Sequence, residues 1–99
     1  MNIIKGSTPT PNAGRIMRRL SKHWSHKYPV QLDEASSVIE LTNVRCSMQA
    51  GADRLDVTLA STDLVPERLT GVVAEHLQRM AGDEQLAVNW EPPTVVQAN

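Results

Sequence analysis

The sequence predicts a two-layer α+β sandwich: an antiparallel sheet of about five to six strands with two helices packed on one face, in the order (β)αββββαβ. Three patterns predict it. Ala13, Ile16, Met17, Leu20 and Trp24 recur at spacings of three and four, the stripe of an amphipathic helix. From Val30 to Ala60 the apolar residues instead alternate with polar ones, the period of strands with one buried face and one wet face. A second helical stripe, Val65, Leu69, Val72, Val73, His76 and Met80, follows, and then one more alternating run. Two amphipathic helices cover a one-faced sheet most economically by lying together on its apolar side.

Met1 to Lys5 is partly apolar and reads as an edge strand, and Ser7 to Pro11 as a connector. Thr10 is placed as a helix N-cap with Pro11 at the first helical position, where a missing N–H costs nothing. The first helix then runs to about His26, because the residue before Pro29 disfavours helical torsions. Val30 and Leu32 flank Gln31 in a short strand. Ser36 to Thr42, Val44 to Ala50 and Leu55 to Ala60 make three more, and Gly51-Ala52-Asp53 is a turn. The second helix begins near Thr62 or Asp63, with Pro66 in its first turn and Gly82 as its stop. Leu86, Val88 and Trp90 alternate as a last strand that ends at Glu91-Pro92-Pro93. Residues 1–93 thus form one domain and residues 94–99 a disordered tail. Trp24 and Trp90 are expected to close the two ends of the core, and Met17, Met48 and Met80 to fill it. The opposite sheet face, with Gln31, Glu40, Arg45, Gln49, Asp56, Thr58 and Asn89, is left to solvent.

Composition narrows the function classes. Of the 99 residues, 40% are hydrophobic and 21% charged, and the net charge is −1, which describes an ordinary globular domain. A single cysteine, Cys46, cannot form an internal disulfide, and no run reaches the ~20 apolar residues of a membrane span. The N-terminus carries no apolar signal segment, so a cytoplasmic location is expected. Phosphate-loop, dinucleotide, zinc-protease and nucleophile-elbow motifs are all missing, so neither a cofactor nor a catalytic residue is expected.

Four side-chain groups invite functional readings. His23 and His26 stand at i and i+3, where two imidazoles could share a transition metal. The alternative is one histidine at the stripe edge and one in solvent. His76 lies within an apolar stripe and needs a hydrogen-bond partner. It would serve as a ligand or base if the helix crossed the strand bearing Cys46. An apolar setting, however, raises a thiol pKa and makes Cys46 inert. The first thirty residues hold Lys5, Arg15, Arg18, Arg19, Lys22 and Lys27 and no acid, whereas the remainder holds four basic and eleven acidic residues. Arg15, Arg18, Arg19 and Lys22 could meet an anionic partner, nucleic acid being the weaker case, or could simply be a solvated helix face.

The stretches Leu20-Ser21-Lys22-His23-Trp24-Ser25-His26-Lys27, Ala74-Glu75-His76-Leu77 and Leu86-Ala87-Val88-Asn89-Trp90, with Cys46 on a central strand, resemble the bacterial family called domain of unknown function 2218. The resemblance implies a fold similar to TATA-binding-protein-like and phosphohexomutase C-terminal domains. It also implies an association with siderophore-interacting reductases and so with iron handling. Family members usually carry a cysteine just before the helical histidines, where this chain has Ser21-Lys22. The resulting expectation is a non-enzymatic accessory domain, monomeric or weakly dimeric, acting on a protein partner through the open sheet face or the basic helix. The rival is a metal- or iron-siderophore-binding protein using His23, His26, His76 and Cys46.

Overall fold

A computed structural model describes residues 1–96. The chain runs β1 (Asn2–Pro9), α1 (Ala13–Trp24), β2 (Val30–Leu32), β3 (Ser36–Leu41), β4 (Val44–Ala50), β5 (Arg54–Ser61), α2 (Glu67–Met80), β6 (Asn89–Trp90) and β7 (Thr94–Val95). The strands form one antiparallel sheet in the order β2-β3-β4-β5-β1-β6, with β7 also on β1. Two helices on an open sheet make the predicted α+β sandwich.

The middle of the chain follows its alternation. Ser37 and Ile39 of β3, Val44, Cys46 and Met48 of β4, and Leu55, Val57 and Leu59 of β5 are buried. Their neighbours, among them Gln31, Glu40, Arg45, Gln49, Asp56, Thr58 and Asn89, lie on the outer face, exposed or half-buried. The β3–β4 connection places Asn43 at φ 64°, and the Ser61 hydroxyl donates to its carbonyl (2.7 Å). Helix α1 lays Ala13, Ile16, Met17, Leu20, Ser21 and Trp24 on the sheet, all buried. Ser21 donates to the Met17 carbonyl (2.8 Å) and meets the Ser37 hydroxyl at 2.6 Å, so neither buried hydroxyl is left without a partner.

Five expectations need correction. First, β1 is not an edge strand. It extends to Pro9 and sits between β5 and β6. Its inward positions are Ile4, Gly6 and Thr8, too small and mixed to register as an apolar alternation. Gly6 is required there, because a Cβ would stand 2.5 Å from the Trp90 ring across the strand pair. Second, Trp90 is only half-buried, unlike Trp24, which is 6% exposed.

Third, both helices are shorter than their patterns. The Thr10 hydroxyl accepts from the Asn12 N–H (3.0 Å) in a turn ahead of α1, which therefore starts at Ala13. Ser61 accepts from the Asp63 N–H (3.1 Å), and Pro66 itself is extended, at φ −58° and ψ 130°, so α2 starts at Glu67. Gly82, at φ 65°, does stop it. Fourth, the last strand shrinks to Asn89–Trp90. The Gln78 amide donates to the Glu84 carbonyl (2.7 Å) and accepts from the Leu86 N–H (2.9 Å), taking up backbone groups that a strand would have paired. Fifth, the expected tail begins as structure: Thr94–Val95 pairs with β1, and the Met1 ammonium donates to the Val96 carbonyl (2.7 Å). The rest of that tail, residues 97–99, lies outside the described residues.

Candidate functional site

Helix α2 buries Val73 and Leu77 completely and leaves Val72 40% exposed. Leu77, not His76, is therefore the centre of its buried line, and the predicted stripe was rotated by about one residue. The consequence is a second line, Arg68, Val72 and His76, at i, i+4 and i+8 along one side of the helix. This line faces the end of α1 across a cleft of about 670 Å³.

The cleft has three sides. The end of α1 and the turn after it supply His23, Trp24, His26, Lys27 and Tyr28. The start of α2 supplies Pro66, Arg68, Leu69, Val72 and His76. Leu41, Thr42 and Val44, around the β3–β4 turn, form the floor. The turn after α1 is held by the N–H groups of Lys27 and Tyr28, which both donate to the Trp24 carbonyl at 2.9 Å. That brings Tyr28 back beside Trp24, edge to face at 6.3 Å between ring centroids.

Four rings line up along the wall. Trp24 stacks on His76 at 5.2 Å, and His76 on His23 at 5.9 Å, both tilted. His76 Nδ1 lies 2.8 Å from the Val72 carbonyl oxygen. A carbonyl can only accept, so Nδ1 carries the hydrogen and Nε2 is the nitrogen left for other partners. Among the described residues the lining contains no aspartate or glutamate, whereas Lys27 and Arg68 bring two basic side chains. Neither makes an ion pair among the described residues, where the pairs are Arg45–Glu40, Arg54–Asp56 and Arg79–Glu75.

The predicted site residues divide accordingly. The structure brings His23, His26 and His76 into one lining, and leaves Cys46 out of it. Cys46 is fully buried in the sheet between Ile39 and Leu59, and desolvation pushes its thiol up to about 12. Among the described residues no three of His, Cys, Asp and Glu are gathered as a metal-ligand group. Of the basic face of α1, Arg19 donates to the Met80 carbonyl (3.2 Å). Arg15 adds its charge to the hydrogen bonds from Asn12 and Thr10 that hold the Glu84 carboxyl below its ordinary value. Of that face Arg19 is thus tied by a hydrogen bond to the chain, while all four side chains, Arg15, Arg18, Arg19 and Lys22, are exposed. The outer sheet face has a shallower depression of about 250 Å³ that includes Gln49, Asp56 and Thr58.

Sequence reasoning missed Lys27, Tyr28, Arg68 and the floor residues. A signal was present in two matched spacings: His23 and Lys27 at i and i+4 on one segment, and Arg68, Val72 and His76 on the other. Their convergence required the helix pairing, which no local pattern contains.

Comparison with known proteins agrees with this architecture. The NMR structure of PA4090 from Pseudomonas aeruginosa is similar, with a TM-score of 0.74 and 36% sequence identity over 93% of this chain and 97% of that one. None of the curated proteins matches the chain. No helix among the described residues is long and apolar enough to cross a membrane. A family model described as an uncharacterized protein conserved in bacteria matches residues 5–91, and with nearly the whole sandwich inside that match the chain belongs to this family, DUF2218.

Proposed function

We propose that the protein is a non-enzymatic binding domain of the bacterial cytoplasm that receives its ligand in the cleft between the end of α1 and the start of α2. The observation that carries this reading is the cleft itself. Its volume of about 670 Å³ is in the range of small-molecule sites, and it combines apolar and aromatic walls with a few convergent polar groups. About half of its lining is aliphatic or aromatic, and its polar groups are three imidazoles, the hydroxyls of Tyr28 and Thr42 and two cations, a set suited to holding a ligand. A protein partner, such as the siderophore-interacting reductase implied by the family resemblance, would engage the free outer sheet face and leave the cleft open.

The test is a two-dimensional NMR titration of the ¹⁵N-labelled protein with mixtures of small fragments. Shift changes are expected to cluster on His23, Trp24, Tyr28, Leu69, Val72 and His76. In Val72→Trp, which fills the cleft from a position 40% exposed, they are expected to vanish while the fold persists. Changes confined to the outer sheet, or none at all, would overturn the reading.

A further inference from the structure

We infer that the ligand of this cleft is a small organic anion with a flat apolar body, an arylcarboxylate in its simplest form. The inference rests on the cleft being the binding site and adds the chemical class that its lining selects.

Charge is the first argument. Lys27, in the turn after α1, and Arg68, on α2, both line the cleft and are exposed, His23 and His26 add imidazole N–H donors, and among the described residues the lining holds no carboxylate. Neither cation is neutralised by an ion pair among the described residues. A bare divalent cation entering here would meet two like charges and no anionic ligand. Of the two neighbouring rings at 5.9 Å, His23 is the one left with an N–H to offer an anion, whereas His76, whose N–H is spent on the Val72 carbonyl, contributes ring surface. Arginine recognises carboxylates through paired N–H donors, which favours a planar oxyanion at Arg68.

Shape is the second argument. Behind the charged side chains the half-buried rings of Tyr28 and His76 pack on either side of the buried Trp24 (6% exposed), with the half-buried Leu41 and Leu69 also in the lining. Aromatic surfaces of this kind prefer offset or edge-on contact with another ring. A purely inorganic anion would leave this surface wet, and a neutral hydrocarbon would leave the two cations unused.

Four probes separate these possibilities: 2-naphthoate, 2-naphthyl phosphate, the neutral 2-naphthylmethanol and the cationic 2-naphthylmethylammonium. Binding is followed by NMR shifts of the cleft residues, with zinc chloride as a further arm. Both anions are expected to bind at least tenfold more tightly than the alcohol, and the ammonium more weakly still. Whichever anion binds more tightly identifies carboxylate or phosphate as the preferred head group. In the double variant Lys27→Gln, Arg68→Gln, anion binding should fall about tenfold or more while alcohol binding is unchanged. Both side chains are on the surface, so the fold should be retained. Equal binding of alcohol and anion, or preference for the ammonium, would overturn the anion inference and leave the cleft as the site. Zinc binding abolished by His76→Ala, with the naphthyl anions silent, would replace the inference with a metal site. Silence of all four naphthyl probes and of zinc would overturn the cleft reading with it.

Discussion

Helices α1 and α2 are both amphipathic, yet they are used differently. α1 lies along the sheet and spends its apolar face on structure: six of its twelve residues are buried. α2 packs beside α1 and buries two of fourteen. The side of α2 left over, Arg68, Val72 and His76, becomes one wall of the cleft. A helix fully committed to the core has little freedom to present chemistry. A helix anchored by one narrow line retains a second face, and in this protein the candidate site is where that face meets the far end of the committed helix.

Substitutions can break this contrast, beginning with the largest expected effect. Trp24 belongs to both regions, since it is buried at the end of α1 and is also the central ring of the cleft. Trp24→Ala should cost about 3–5 kcal/mol in chemical denaturation, comparable to other large-to-small core changes. Ile16→Ala on α1 should cost about 2–5 kcal/mol, whereas Val72→Ala on the cleft wall should stay within about 0.5 kcal/mol. Equal losses at Ile16 and Val72 would erase the distinction between the two helices. Gly6→Ala should cost about 1–3 kcal/mol by overpacking and should turn the half-buried Trp90 outward, read as a red shift in its emission. Thr8→Val should be neutral or stabilising by up to about 1 kcal/mol, because the fully buried Thr8 hydroxyl has no hydrogen-bond partner among the described residues.

Two titrating groups sharpen the comparison. Glu84, just beyond the end of α2, receives hydrogen bonds from Asn12 and Thr10 at the start of α1, with Asn12 Nδ2 at 3.0 Å. They hold its carboxyl below the ordinary value of 4.5. A carboxylate whose folded pKa is depressed stabilises the fold above its unfolded pKa. The contribution is lost as pH falls through the folded value. Stability of the natural chain should therefore decline below about pH 4.5 more steeply than that of Glu84→Gln, as measured by thermal melts across that range. In the dry region, Cys46 should resist a thiol reagent at pH 8 in the folded protein and react at once in denaturant, because burial holds its thiol near 12.

Much of this molecule was legible as pattern. The strands from Val30 to Ala60 could be read residue by residue, because an alternation of long apolar and polar side chains has only one way to face a single core. The buried face of helix α1 was equally plain, though not its ends. The reading failed where side chains take over backbone pairing, as Gln78 does for Glu84 and Leu86, and where inward positions are small, as Gly6 and Thr8 are in β1. The candidate site was legible only in part. Its histidines stood out by type, but Lys27, Tyr28 and Arg68 resemble any surface residues until the two helices are set side by side.

Local order, and the division into buried and wet faces of α1 and of the strands β3 to β5, were thus determined by sequence alone, because periodicity acts between near neighbours in the chain. Tertiary structure decided where β1 enters the sheet, how far α2 turns about its own axis, and which charges gather at one opening. These outcomes depend on contacts between segments some forty or more residues apart, and their energies appear only once the core that joins those segments has closed.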